Sequence, residues 1–272
     1  MSRIIVIGGT GMVGRRIVTR LTRAGHDAIA AAPSTGVDAV SGRGLAETLH
    51  GADVVVDVSK PRTYEPAAVR SHFTTVTTNL LAAGRAAGVG HHVMLAAVGT
   101  DRHPAIPYYQ AKAAAERLIA RGGVPFTLVH ATQFMEFAPA IADDATHGDR
   151  IRLPHTLVQP IAADDIAAAV ARVADQPALD GVIEFAGPDR LPLVDFVRAV
   201  LEPRHDPRRI DQSDDGLYFG AHIDVTELLP GPCAFIAPTR FDHWLHAHRP
   251  SKPGMPQLRH LLHHHPRLEV AS

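Results

Sequence analysis

The stretch RIIVIGGTGMVGRRIV, residues Arg3 to Val18, decides how the rest of the chain is read. Ile4, Ile5, Val6 and Ile7 form the unbroken apolar run that a parallel strand buried on both faces requires. Glycines come next at Gly8, Gly11 and Gly14. From there Met12, Val13, Ile17, Val18 and Leu21 recur at helical spacing, with Arg15, Arg16, Arg20 and Arg23 on other faces. The order strand, glycine turn, helix presents backbone N–H groups at the positive end of a helix, where missing side chains let a pyrophosphate approach. Thr10, Gly11, Met12 and Val13 are the expected contacts. The spacing is GxxGxxG, which any tight strand-to-helix turn can carry, so its meaning depends on the pattern of the chain beyond it.

That pattern is further alternation. Apolar runs at Asp27 to Ala32, Val54 to Val58, Val93 to Val98, Phe126 to His130 and Val182 to Ala186 read as strands. Helical patterns intervene at about Leu45 to His50, Ala67 to Ala87, Tyr109 to Arg121 and Asp165 to Asp175. The expected fold is α/β, a doubly wound parallel sheet of the Rossmann kind, with ligands outside the carboxyl ends of its strands. After Gly187, prolines from Pro188 to Pro238 interrupt short helical pieces such as Leu193 to Leu201. The predicted organisation is a dinucleotide-binding domain over 1–187, with 134–155 contributing to the substrate side. A small irregular substrate lobe and a His-rich tail occupy 188–272. Asp164 and Asp165 are expected to cap the helix that begins IAAAVARVA.

With 272 residues, 46% of them hydrophobic, the chain can bury a large core. A net charge of −1 carries no footprint for nucleic acid or an acidic membrane. No apolar run is long enough for a bilayer, and the first is ended too soon by glycine to be a secretory signal. The single cysteine, Cys233, has no internal disulfide partner and reads as a bystander beside Pro232. These features predict a cytoplasmic protein whose partner is a small-molecule substrate, with a homo-oligomer left open. His260, His263 and His264 would share one helical face, but their surroundings read as a solvated tail and no metal is expected.

The chemistry is expected at Tyr108 and Lys112, a YxxxK pair four residues apart at the head of a helix. A nearby ammonium favours the phenolate, bringing a phenol of ordinary pKa about 10 closer to neutral pH, and the lysine can also bond a cofactor ribose. Tyr108 would then exchange the proton while a nicotinamide moves a hydride. Tyr109 points about 100° away around the helix and is the poorer candidate.

Together with the glycine turn, these residues resemble the short-chain dehydrogenase/reductase superfamily, in particular its extended and atypical NmrA-like, NAD(P)-binding members. VIGGTGMVGRRIV is similar to the family's cofactor turn, GADVVVDVS to its fourth strand, HHVMLAAVGTD to its fifth and HATQFMEF to the segment after its sixth. PIAADDIA resembles the start of a family helix. DDGLYFGAHI and TRFDHWL resemble the small substrate lobe of bacterial members. The resemblance implies that Gly8, Gly14, Val58, Ser59, Ala96 and Lys112 lie beside the cofactor. It implies that Ala97, Thr100, Phe134, Met135, Phe137 and Tyr218 lie beside substrate.

One departure bears on activity. Ala96 occupies the position where family reductases carry a serine that bonds the substrate oxygen, and removing such a donor costs about 10²–10³ in turnover. Thr100 is a nearby substitute, although a loop hydroxyl is its simpler reading. NAD-preferring relatives place an acid at the end of the second strand. Here that strand ends AAAPSTG, with Asp27 too early and Asp38 too late, while Ser34, Thr35 and Arg15 are available to a 2′-phosphate. NADP(H) is therefore expected over NAD. The resemblance implies an oxidoreductase reducing a small carbonyl or quinone-type substrate. A non-catalytic dinucleotide-sensing regulator is the alternative that Ala96 favours, and an epimerase or dehydratase retaining its nicotinamide is a third.

Overall fold

The computed structural model describes residues 1–249, so the tail histidines His260, His263 and His264 lie outside the described residues. The chain runs β1 (Arg3–Ile7), α1 (Gly14–Arg23), β2 (Asp27–Ala31), α2 (Leu45–Leu49), β3 (Val54–Asp57), α3 (Pro66–Ala87), β4 (His91–Ala97), α4 (Pro107–Ala120) and β5 (Phe126–Ala131). It continues with α5 (Ala138–Asp144), β6 (Thr146–His147), β7 (Arg150–Leu153), β8 (Leu157–Val158), α6 (Ala163–Ala174) and β9 (Gly181–Ala186). Last come β10 (Leu191–Pro192), α7 (Leu193–Leu201), β11 (Arg209–Gln212), β12 (Phe235–Ile236) and α8 (Phe241–Ala247). No helix among the described residues is long and apolar enough to cross a membrane.

Seven parallel strands lie side by side in the order β12, β9, β5, β4, β3, β1, β2. This is the doubly wound sheet that the alternation predicts. Strand order reverses at β1, between β2 and β3, and the crevice there opens outside Ile7 and Asp57. Alternate residues serve the two faces. Ile4, Val6, Val54, Val56, Val93 and Leu95 pack with α1 and α6, while Ile5, Ile7, Val55, Met94 and Leu128 pack with α2, α3 and α4.

The sheet is one strand shorter on its β2 side than the family count implies. Val54–Asp57 is β3, because residues 36–44 form a loop with a single bridge between Asp38 and Arg43. Gly36, Gly42 and Gly44 in that loop all have positive φ, a conformation that interrupts extended pairing. Asn79 on α3 ties the loop down by donating to the carbonyls of Ala39 and Val40.

The expected capping of α6 requires correction. Its N-cap is Ala162, and Asp164 and Asp165 sit inside the first turn. The backbone N–H of Ala163 is bonded instead by the carboxylate of Glu136, at 3.1–3.2 Å, from a distant segment. Asp164 pairs with Arg16 and Arg20 of α1, and Asp165 accepts the Thr239 N–H. Both acids still complement the helix dipole.

The smaller layer assembles β6, β7 and β11 as one sheet and β8 with β10 as another. Its core joins Met135, Ile141, Leu153 and Val158 to Leu193, Phe196, Tyr218, Leu228 and Trp244. Segments on both sides of Gly187 therefore build it. The chain then returns to the main sheet, where β12 pairs with β9.

Candidate cofactor and active site

The glycine turn shows a separate physical need at each position. Gly8 has φ +79°, and a Cβ there would lie 2.9 Å from the Val58 carbonyl oxygen, so the turn crosses directly against Val58 and Ser59. A Cβ on Gly14 would overlap the Gly8 carbonyl. Gly9, which the three-glycine pattern passes over, is equally constrained, because a Cβ would stand 2.6 Å from Ala30 Cα. Gly11 differs from all three: it is exposed, and a Cβ would meet only the Gly8 oxygen, at 3.1 Å.

Backbone donors add a second feature. The N–H groups of Gly8, Gly9, Gly11 and Arg15 bond to carbonyls of Ala31, Val6, Gly8 and Gly11. Those of Thr10, Met12, Val13 and Gly14 find no acceptor among the described residues. Unpaired donors at the start of a ten-residue helix form an anion cradle, and Gly11 leaves it uncovered. Gly11 thus contributes an absent side chain rather than its own N–H.

Around this turn, Arg15 is exposed and has no carboxylate partner among the described residues, whereas Arg16 and Arg20 are held by Asp164. Ser34 Oγ lies 3.5 Å from Thr10 Oγ1 at the same mouth. Thr35 is otherwise engaged: its hydroxyl accepts the Ala32 N–H at 2.9 Å and turns back on the carbonyls of Ala30 and Ala32. It is a turn residue rather than a phosphate contact. Both nearby acids are also committed, Asp27 to Arg3 and Asp38 to the N–H groups of Val40 and Ser41.

Tyr108 and Lys112 occupy the first turns of α4, after buried Ile106 and with Pro107 at the first helical position. The Tyr108 ring lies edge-on to Phe73, with centroids 5.4 Å apart, and Tyr64 of the loop after β3 tilts over it at 6.2 Å. Lys112 is buried. Its Nζ donates to the Leu95 carbonyl at 2.7 Å and sits 4.2 Å from the Phe73 ring centroid. Burial brings this ammonium down to about 8, against the opposing pull of Asp57 and Glu116. The expected phenolate-favouring contact is not made. Burial pushes the Tyr108 phenol upward, helped by Tyr64, Tyr109 and Asp57, so it remains protonated at neutral pH.

The expected substrate residues divide. Ala97 and Tyr108 are half-buried against the core of the smaller layer, and Phe134 and Phe137 meet edge-on at 5.8 Å. Met135 is completely buried in that core and cannot line a site. Tyr218 is buried beside Tyr109, with Gln133 completing the polar group. The next residue, Phe219, has φ +47°, strained for a bulky side chain, inside a turn closed by Tyr218 and Ala221. Ala96 is buried beside His130. Thr100 does not substitute for the missing serine, because its buried hydroxyl donates to Glu116 at 3.1 Å, and Glu116 also bonds His130 Nε2 at 3.0 Å. The lysine-centred set of Asp57, Glu116 and His130 has no signal in YxxxK. Only Glu116, one helical turn beyond Lys112, shares its face by spacing.

A parallel doubly wound sheet with an anion cradle at its switch point defines a dinucleotide-binding protein. Residues 8–177 match a family model described as NAD(P)H-binding, and the chain belongs to this family. The photosystem II assembly factor Ycf39 of Synechocystis sp. is 26% identical over 148 residues, covering 49% of this chain and 45% of that protein. The chain thus spans less than half the length of this curated relative. Among solved structures, UDP-N-acetylglucosamine 4-epimerase from Bacillus cereus has a TM-score of 0.65 at 17% identity, covering 93% of this chain and 99% of its own. Bordetella bronchiseptica WbmH in complex with NAD+ has a TM-score of 0.66 at 15% identity, over 90% of this chain and 96% of that one. At these identities the likeness concerns the fold.

Proposed function

We propose that the protein is an NADP(H)-dependent oxidoreductase that reduces a small carbonyl or quinone-type substrate. The observation that carries this reading is the placement of Tyr108 and Lys112 on one face at the head of α4, with the Tyr108 ring half-buried edge-on to Phe73 and its hydroxyl making no hydrogen bond among the described residues. A phenol whose partial burial favours the protonated form is suited to giving a proton to a carbonyl oxygen as it is reduced, and poorly suited to removing one from an alcohol. A bound nicotinamide would supply the hydride. Lys112 has three N–H donors and spends one on Leu95, leaving two for ribose hydroxyls. The N–H groups of Thr10, Met12, Val13 and Gly14, unpaired among the described residues, would hold the pyrophosphate, and Ala97, Phe134 and Phe137 would face the substrate, whereas Tyr218 is buried in the same core as Met135.

Sugar-nucleotide chemistry, suggested by the structural neighbours, has less support here. Arg150, Arg152, Arg198, Arg208 and Arg240 of the smaller layer are each paired with a carboxylate and Arg190 bonds Gln159, which leaves Arg204 and Arg209 as cations of this layer without a carboxylate partner among the described residues. A dinucleotide sensor is favoured by one observation, the loss of a substrate-bonding hydroxyl at Ala96 with Thr100 committed elsewhere. The assembly role in the name of the Synechocystis relative agrees with it. The deciding measurement is NADPH oxidation with a panel of quinones and ketones: sustained turnover supports the reductase. Tight NADPH binding with no turnover across the panel replaces it with the sensor.

NADPH is expected to bind about tenfold or more tightly than NADH, since no carboxylate at the end of β2 opposes a 2′-phosphate and Arg15 has no carboxylate partner among the described residues. Arg15→Ala should remove most of that difference. Equal affinities in the parent protein, read by fluorescence titration, would leave Arg15 and Ser34 as surface residues only.

A further inference from the structure

An amine enclosed by hydrocarbon gives up its proton unless nearby carboxylates favour the charge. Lys112 is in that situation, with the Phe73 ring on one side and the Leu95 carbonyl as its hydrogen-bonded acceptor. Two carboxylates act on it. Asp57, at the end of β3, is 1% exposed; its Oδ1 accepts the Ser59 N–H at 2.9 Å, while Oδ2 is buried without a partner. Glu116 lies one turn further along α4, clamped between the Thr100 hydroxyl and His130 Nε2. Neither makes a direct ion pair with Nζ among the described residues, but the fold places both beside it: Asp57 pairs in register with Met94, next to the Leu95 whose carbonyl holds Nζ, and Glu116 stands four residues on from Lys112 on the same face of α4.

Four other titratable groups around Lys112 are kept neutral by burial. His72 on α3 and His92 on β4 are kept neutral by burial, His92 being brought down to about 4. Tyr108 on α4 and Tyr64 on the loop after β3 stay protonated because burial raises both. His130 on β5 faces Lys112 only through Glu116, to which it is bonded.

We propose that Asp57 and Glu116 are positioning residues that keep the Lys112 ammonium charged in its buried place between Phe73 and the Leu95 carbonyl, Glu116 being held in place for this by Thr100 and His130. The proposal rests on the reductase reading only for what the charged lysine then does. Its physical content is independent of turnover. The carboxylates offset the desolvation of the amine, and removing either should let the proton leave at lower pH.

The chain has three lysines, Lys60, Lys112 and Lys252, so a lysine-labelled protein gives few side-chain NMR signals, and Lys112→Arg assigns the buried one. In the parent, Lys112 is expected to lose its proton near pH 8. Asp57→Asn and Glu116→Gln, which keep shape and remove charge, should each lower that midpoint by about one unit. Thr100→Val should lower it less, by loosening Glu116. If reductase activity is present, the alkaline loss of NADPH turnover should move down by the same interval in the same variants. An unchanged Lys112 midpoint in both carboxylate variants overturns the proposal. Should Glu116→Gln fail to fold, Asp57→Asn decides by itself. A lowered midpoint with no turnover in any form retains the electrostatic assignment and rejects the reductase reading.

Discussion

Tyr108→Phe is expected to lower turnover by about 10²–10⁴ while leaving NADPH affinity within about twofold. The variant keeps the ring that lies edge-on to Phe73 and beneath Tyr64, so the packing at the head of α4 survives. The phenol makes no hydrogen bond among the described residues, and its removal leaves no buried group unsatisfied. Only the proton is lost. A substrate oxygen reduced without a donor must develop negative charge with no positioned proton to neutralise it, and that cost falls on the chemical step. Single-turnover oxidation of bound NADPH reads that step, and equilibrium titration reads affinity. Parent-like turnover in Tyr108→Phe would make another group the proton donor. The pH dependence also has a direction. With the phenol held protonated by burial, the first alkaline loss should come from Lys112, whose ammonium is lost as pH rises through about 8.

The legibility of this molecule in its sequence varies by level. The sheet is legible because β1, β3, β4 and β5 are short apolar runs bounded by turn residues, and a parallel strand covered on both faces has no other composition open to it. The missing strand beyond β2 is not, because residues 36–44 depart from extended pairing through backbone conformation at their glycines rather than through hydrophobicity. The capping of α6 misleads for a different reason. Asp164 and Asp165 suit a helix start equally well as caps or as first-turn acids, and the choice goes to Glu136, 27 residues earlier in the chain. Met135 looks like its neighbours Phe134 and Phe137, but an irregular turn directs it into the core. Within the candidate site, YxxxK places the two residues correctly on one helix and misjudges their coupling, since Lys112 bonds across to Leu95 instead of toward Tyr108. Spacing reports which face a side chain shares. Desolvation and contacts across the sheet decide its charge.

Gly11→Val is expected to weaken NADPH binding by about 10²–10⁴ while the protein stays folded. The contrast among the turn's glycines gives this its force. A Cβ on Gly14 would overlap the Gly8 carbonyl and one on Gly9 would press on Ala30 Cα, so substitutions there have no place to go and should lower the melting temperature. A Cβ on Gly11 meets a single oxygen at 3.1 Å, which a shift of a few tenths of an ångström relieves, and the remaining valine atoms project to the exposed side. The same turn carries the N–H groups of Thr10, Met12, Val13 and Gly14, which have no acceptor among the described residues. A branched side chain there keeps a pyrophosphate at a distance from these donors and from the positive end of α1. Hydrogen bonds to a charged group contribute about 1.5–3 kcal/mol each, so losing two corresponds to about 3–6 kcal/mol, and each 1.4 kcal/mol is about a tenfold change in affinity. Gly11→Ala, with one methyl group and no branch, should fall between parent and valine. Calorimetric titration measures the affinities, and thermal denaturation of the same samples shows that the fold is retained. Parent-like affinity in a folded Gly11→Val protein would mean that the dinucleotide does not bind over this turn, and the unpaired donors at the head of α1 would need another ligand.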